Sequence, residues 1–279
     1  MIVFPNCKIN LGLHILGKRS DGYHDLETVF YPLRLTDALE ITTLHSQERS
    51  SSFPFTLSGT DVKGHPTSNL CVRAYKLLKK DFPDLPKVKM HLHKVIPSGA
   101  GLGGGSADAA FTLQLLNKMF HLGLSKEKLM DYASELGSDC PFFLINKPCH
   151  ATGRGEVLEE LELDISAYTI VVINPGIHID TGLAFLNLTP AIPDHSIKEI
   201  IQRPLVRWKD ELKNDFEKII FPKYPEIVEI KDYLYSAGAE YASMSGSGST
   251  VFGIFKPKED LQLSFPPHYF VRQLPGQLQ

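Results

Sequence analysis

Five glycines, Gly99, Gly101, Gly103, Gly104 and Gly105, crowd into seven positions between Pro97 and Ser106. Before them, Val88, Met90 and Leu92 alternate with Lys89, His91 and His93, the period-two pattern of a half-buried strand. After them, Ala109, Leu113, Leu116 and Phe120 fall on one stripe, which predicts a helix over 106–120. The glycines are therefore a strand-to-helix joint. Glycine reaches backbone conformations closed to other residues and lets main-chain N–H groups approach a ligand closely. A helix N-terminus leaves N–H groups unpaired and carries positive partial charge. The combination predicts an anion site, most naturally one for phosphate.

The rest of the chain sets bounds on that reading. Its 279 residues are enough for one large domain or two ordinary ones. A formal net charge of −3 gives no long-range field for nucleic acid or an anionic membrane, so neither partner is expected. No apolar run approaches the length of a membrane-spanning helix. The start, Met1-Ile-Val-Phe followed by Pro5, Asn6 and Lys8, lacks a signal-peptide apolar core, so a soluble cytoplasmic protein is expected. Cys7, Cys71, Cys140 and Cys149 form no C-x-x-C pair, which predicts reduced, buried thiols rather than a zinc or redox site. His91 and His93 share a strand face but lack a third ligand, so they predict a solvated face and no metal centre.

Strands are expected over 3–16, 26–35, 38–44, 53–57, 88–93, 150–163, 168–173, 241–244, 250–255 and 269–272. Besides 106–120, helices are expected after a Thr67 or Ser68 cap, after a Ser125 cap to near Gly137, and over 181–186, 197–202 and 227–236. Strands mixed irregularly with helices favour α+β over a doubly wound parallel sheet. A boundary is expected near residue 155, giving domains 1–155 and 156–279.

Three known phosphate loops can be tested against the cluster. Gly99, Gly101 and Gly104 satisfy G-x-G-x-x-G, but a dinucleotide fold needs a second strand after the helix, and a helix follows here. A Walker loop needs Gly-Lys-Ser/Thr, and Gly105 is followed by Ser106. A protein-kinase loop belongs with a His-Arg-Asp segment, which is absent. What remains resembles the GHMP kinases, the superfamily of galactokinase, homoserine kinase and mevalonate kinase. Pro97, Gly101, Leu102, Gly103, Gly104, Gly105, Ser106 and Ala107 match its loop signature in order. Cys7-Lys-Ile-Asn-Leu11 and Met244-Ser-Gly-Ser-Gly-Ser-Thr-Val251 match two further superfamily segments.

Finer features resemble the branch of that superfamily acting on a cytidyl diphosphate substrate. They are Asp21-Gly-Tyr-His24, the triple glycine 103–105, Leu136-Gly-Ser-Asp-Cys-Pro-Phe-Phe143, Ala151-Thr-Gly-Arg-Gly-Glu156 and Asn174-Pro-Gly176. One departure is Asp108, where several members have Asn; it follows the glycines and need not touch the chemistry. The resemblance implies two α+β domains, the first like ribosomal protein S5 domain 2 and the second ferredoxin-like, with a site in the cleft between them. It implies ATP-dependent phosphorylation of the 2-hydroxyl of diphosphocytidyl-methylerythritol, a step toward isoprenoid precursors. Another superfamily specificity, of homoserine or mevalonate type, and a non-catalytic nucleotide-binding module are the alternatives.

Roles follow by resemblance. Asp139 accepts or orients the hydroxyl proton, and Lys8 favours the ionised carboxylate and stabilises the transferring phosphoryl group. Lys8 lies in an apolar strand, where an unpaired cation is costly, so a buried partner is expected. Residues Pro97, Ser98, Gly99, Ala100, Gly101, Leu102, Gly103, Gly104, Gly105, Ser106 and Ala107 hold ATP, and Lys94 offers its backbone to adenine. Mg2+ joins the nucleotide phosphates with few protein ligands, Ser106 being one contact. Tyr23 and Phe185 stack on the cytosine, His24 reads its edge, and Phe30 is a wall. Asn10 touches the erythritol or diphosphate part, and Gly246, Ser247 and Gly248 approach the diphosphate with backbone N–H groups.

Overall fold

Alternation of apolar and polar residues and well-placed caps produce a mixed α and β chain, seen in a computed structural model that describes residues 1–44, 54–60, 65–257 and 261–276. The first elements are β1 (Ile2–Val3), β2 (Asn6–Lys18), β3 (His24–Thr36), β4 (Ala38–Thr43), β5 (Phe55–Gly59), α1 (Leu70–Asp81), β6 (Val88–Lys94), α2 (Gly104–Phe120), α3 (Lys126–Leu136) and α4 (Cys140–Ile145). Then come β7 (Cys149–Thr152), β8 (Val157–Glu160), β9 (Thr169–Asn174), α5 (Thr181–Leu186), α6 (Ile197–Ile200), α7 (Trp208–Glu211), α8 (Glu217–Ile220), α9 (Pro225–Ser236), β10 (Tyr241–Met244), β11 (Val251–Phe255) and β12 (Phe270–Leu274). They form two compact units: Met1–Cys7, Arg34–Ser98 and Gly103–Asn146 in one, Lys8–Leu33, Gly99–Leu102 and Lys147–Gln279 in the other.

In the first unit a sheet runs β1-β4-β6-β5, antiparallel except for the parallel β5–β6 pair. Val88, Met90 and Leu92 of β6 are fully buried on one face, as the alternation requires, against Leu78 of α1 and Leu113 and Leu116 of α2. Each such side chain contributes about 1.5–3 kcal/mol through burial. The cap of α1 is Asn69, not Thr67 or Ser68: its Oδ1 accepts the Cys71 N–H at 2.9 Å, while Pro66–Ser68 form a 3-10 turn ahead of it. Ser125 caps α3 as expected, accepting the Lys128 N–H at 3.2 Å. Helix α2 starts two residues before the expected Ser106, because Gly104 and Gly105 are already helical. The short α4, which begins with Cys140-Pro141, is an addition to the sequence-derived elements.

The second unit holds two sheets, β2-β3-β7-β8 and β10-β11-β9-β12. In the latter, β11 pairs antiparallel with both β10 and β9, so β9 and β10 are parallel with β11 between them. Helices α5 to α9 connect β9 to β10, which makes a split β-α-β unit of the ferredoxin-like kind. Leu13, Ile15 and Leu26 of the first sheet share one core with Val171, Ile173, Ala242, Met244 and Val251 of the second and with Ile227, Ile230 and Leu234 of α9. The strand expected over 150–163 is the hairpin β7–β8, and the helix expected over 197–202 is the single turn α6. The strand expected over 53–57 is β5, starting at Phe55; Phe53 and most of 46–66 lie outside the described residues.

All four cysteines are buried, and among the described residues none is joined in a disulfide. Among the described residues no helix is long and apolar enough to cross a membrane.

Candidate active site

The glycine loop divides between the units. Pro97, Ser98 and Gly103 to Ala107 belong to the first, and Gly99 to Leu102 to the second. In the first unit Gly103 takes φ +67° and starts α2, whose N-terminal amides face outward from the helix start. A Cβ on Gly104 would stand 2.8 Å from Ile96 Cγ2, so only glycine lets the helix approach the incoming strand this closely. Gly105 is exposed, Ser106 half-buried and Ala107 buried.

Ser106 hydrogen-bonds the Cys140 thiol, and burial, with Asp139 nearby, pushes that thiol up to about 12. The Ser106 hydroxyl and the Asp139 carboxylate, both hard oxygen donors, thus each act on the Cys140 thiol. Asp139 precedes α4 with helical backbone angles, yet its half-buried side chain makes no capping hydrogen bond. It is therefore not a capping aspartate.

Lys94 directs its carbonyl to the Thr60 N–H at 2.8 Å. Its side chain is 3% exposed and turns inward to a charge cluster with Asp37 and Asp108, bonding Asp108 Oδ2 at 2.8 Å. Burial works against the ammonium, but the two carboxylates outweigh it and raise its pKa. Asp108, chiefly through burial, is pushed up to about 7. Asp37 was not legible as a site neighbour, because 57 residues separate it from Lys94.

The second unit gathers Lys8, Asn10, Phe30, the loop tip and the late glycine-rich segment. The Lys8 N–H donates to the Leu102 carbonyl at 3.0 Å, tying β2 to the loop tip. Lys8 Nζ donates to Asn10 Oδ1 at 2.5 Å and lies 4.7 Å from the centre of the Phe30 ring. Asn10 Nδ2 donates to Thr28 Oγ1 at 3.0 Å, which fixes the amide so that its oxygen faces the lysine. Ser245 Oγ donates to the Gly101 carbonyl at 2.8 Å, and the Thr250 N–H to the Ala100 carbonyl at 3.3 Å. Gly101 has φ +79°, and a Cβ there would overlap the Ser245 carbonyl oxygen. Gly99 lies near His178. A Cβ on Gly246 would stand 3.3 Å from Asn10 Oδ1, and one on Gly248 2.6 Å from the Met244 sulfur. Ser247 Oγ bonds Thr181 Oγ1 at 2.8 Å.

The aromatic candidates Tyr23, His24 and Phe185 are in the same unit. His24 stacks on Phe185, with centroids 5.2 Å apart and planes at 21°, and Phe216 meets Phe185 edge-on at 4.8 Å. Tyr23 is 56% exposed, with the Arg154 guanidinium 4.8 Å from its ring centre. Arg154 was not singled out from the sequence, although its place between Gly153 and Gly155 marks the β7–β8 turn. Asn214 was also missed: its amide reaches the Met244 and Gly246 carbonyls at 2.7 and 2.8 Å, and no motif announces it.

A strand-to-helix glycine loop, a buried lysine tied to its tip and a second glycine-rich segment define the class. The model for the GHMP kinases N terminal domain matches residues 69–147, and that for the GHMP kinases C terminal matches 196–263. The chain belongs to the GHMP kinase family, whose members are ATP-dependent small-molecule kinases. Within it, the chain is 55% identical over 261 residues to the 4-diphosphocytidyl-2-C-methyl-D-erythritol kinase of Bacteroides fragilis, covering 94% of each chain. It is 43% identical over 267 residues to the enzyme of that name in Porphyromonas gingivalis, again covering 94% of each. A crystal structure of 4-(cytidine 5'-diphospho)-2C-methyl-D-erythritol kinase matches with a TM-score of 0.78 and 33% identity, over 92% of this chain and 91% of that one. A Methanococcus jannaschii mevalonate kinase, at TM-score 0.65 and 13% identity over 92% and 90% of the two chains, shares the fold.

Proposed function

We propose that the protein transfers the γ-phosphoryl group of ATP to the 2-hydroxyl of 4-diphosphocytidyl-2-C-methyl-D-erythritol, in the non-mevalonate route to isoprenoid precursors. The observation that carries this reading is the second-unit constellation. Lys8, Asn10 and Phe30 sit at the glycine-loop tip, and the same unit holds the aromatic set of Tyr23, His24 and Phe185. Relatives 43–55% identical over most of the chain bear that enzyme's name, which supports the substrate.

Residues 97–107 hold the nucleotide phosphates on loop amides and the dipole of α2. Asp139 accepts or orients the proton of the attacking hydroxyl. Lys8, held in place by Asn10 Oδ1, neutralises charge on the transferring group. Gly246, Ser247 and Gly248 meet the substrate diphosphate, and the aromatic set receives the cytosine. Mg2+ would supply charge neutralisation on the β- and γ-phosphates; the Ser106 hydroxyl and Asp139 carboxylate are oxygen donors of the kind it takes. Lys94 offers adenine a backbone edge. The matched family segments, 69–147 and 196–263, lie on either side of residue 155 and support sequence domains 1–155 and 156–279, the first of the S5-domain-2 type, with residues 8–33 and 99–102 grouping with the later part of the chain. The reaction is assigned to the cytoplasm.

The test is ATP turnover that depends on the cytidyl substrate, in wild type and Asp139→Asn. We expect a loss of at least about a hundredfold in kcat in the variant, with binding of both substrates retained. Full turnover by the variant would remove the role given to Asp139. Turnover on homoserine or mevalonate in place of the cytidyl compound would overturn the substrate.

A further inference from the structure

The charge cluster beneath the start of α2 touches both ends of the first unit's part of the glycine loop. On the entering side, Asp37 Oδ1 accepts the N–H of Val95 at 2.6 Å and that of Ile96 at 2.9 Å, the two residues before Pro97. Asp37 is itself anchored, its N–H donating to the Pro5 carbonyl at 2.8 Å. On the leaving side, Asp108 sits in the first turns of α2 and takes Lys94 Nζ on Oδ2 at 2.8 Å. Lys94 also donates to Asp37 Oδ2, so one ammonium joins the two ends. It lies directly under the helix start, 3.3 Å from where a Gly104 Cβ would be.

Lys94, Asp37 and Asp108 are 3%, 1% and 2% exposed. Burying three charges is costly, and an apolar trio would serve a purely structural purpose as well or better. Asp108 Oδ1 is buried without a hydrogen-bond partner, a further cost at this one place. What an ionic cluster supplies, and apolar packing does not, is direction. It fixes peptide planes and a helix terminus within the narrow tolerance that phosphate-binding amides require.

We infer that the side chains of Asp37, Lys94 and Asp108 are positioning groups for the nucleotide, setting the affinity for ATP without touching it. The inference rests on the reading of residues 97–107 as the ATP loop. It assigns Asp108, the departure noted in the sequence, a part in the reaction that its place behind the glycines did not suggest.

The experiment uses the full chain. ATP is titrated calorimetrically into wild type, Asp108→Ala, Asp108→Asn and Asp37→Asn, and steady-state constants are measured with ATP and the cytidyl substrate. Thermal melts report folding, and if Asp108→Ala does not fold, Asp37→Asn carries the test. We expect Asp108→Ala and Asp37→Asn each to weaken ATP binding and raise KM for ATP about tenfold, with KM for the cytidyl substrate within about twofold of wild type. Asp108→Asn, which keeps an acceptor for Lys94, should restore ATP affinity to within about threefold. A fall in kcat with both KM values unchanged, or an equal rise in both, would show a merely structural cluster and overturn the inference. Failure of wild type itself to bind ATP would instead remove the loop assignment beneath it.

Discussion

The two glycine-rich loops of this kinase are built on opposite kinds of scaffold. The flanks of the first, in the first unit, are tied by buried charges: Asp37, between β3 and β4, holds the entering segment at Val95 and Ile96, Asp108 lies on the leaving helix, and Lys94 joins the two. The second, from Met244 to Thr250, has one carboxylate contact at its first residue, where the Met244 N–H donates to Glu217 Oε1 at 2.9 Å, and past that residue is tied by neutral groups. Asn214 Nδ2 donates to two of its carbonyls, Asn174 Nδ2 to Ser249 Oγ at 3.1 Å and Thr250 Oγ1 at 3.0 Å, and Ser249 Oγ to the Ile177 carbonyl at 2.6 Å. Amide scaffolding bears no desolvated charge and does not titrate. Ionic scaffolding is more directional per contact, but it ties loop geometry to protonation and to the presence of every partner.

The largest effect should come from Gly101, where the loop tip meets the neutral scaffold. Gly101→Ala combines a Cβ at φ +79° with overlap of the Ser245 carbonyl, so activity should fall by at least about a hundredfold even in folded protein. Near-normal activity would mean that the two segments part without consequence. Next, Asn214→Ala strips two carbonyls of their buried donor, and about 2 kcal/mol of stability should be lost. Denaturation in urea should show this loss equally from pH 5 to pH 8, since the Asn214 amide that is removed does not titrate.

The charged scaffold should behave otherwise. In the unfolded chain Asp108 gives up its proton near about pH 4, and in the folded protein only at about pH 7. The folded state binds more protons between those values, so this group's contribution is fully present below about pH 4 and is lost as pH rises toward 7. Lys94, with its pKa raised, stays charged throughout this window. Asp108→Asn lacks that slope, and its melting temperature relative to wild type should climb from pH 4 to pH 7 and level off above. A difference constant with pH would break the contrast between the loops. The smallest effect is expected at Tyr23. Tyr23→Ala should cost about 1 kcal/mol of cytidyl-substrate binding, at the low end for stacking because the ring is half exposed, with ATP affinity unchanged.

Much of this was legible in the chain itself, for local reasons. The Val88–Leu92 alternation and the stripe from Ala109 to Phe120 are short-range signals, and each stands where the pattern put it. The start of α2 lies earlier because Gly104 and Gly105 read as loop by propensity, yet both are helical and Gly104 packs closely on Ile96. The α1 cap was displaced because Thr67, Ser68 and Asn69 are all capping residues, and only the preceding 3-10 turn selects the third. Helix α4 has six residues and opens with Cys140-Pro141, too short to show a period. The Asp37–Lys94–Asp108 cluster and the Asn214 amide bonds were out of reach for a different reason. Their partners are far apart in sequence, and an isolated Asp or Asn carries no mark of whom it will meet.

The four buried cysteines bear on how the enzyme withstands its chemical surroundings. Only the thiolate reacts readily with peroxide or alkylating reagents. Burial pushes the Cys140 thiol up to about 12 and that of Cys71 higher still. At neutral pH both are therefore protonated almost without exception, and both are shut away from bulky electrophiles. The same dry interior that raises the Asp108 pKa thus makes an activity that should persist without added reductant and outlast mild oxidative exposure.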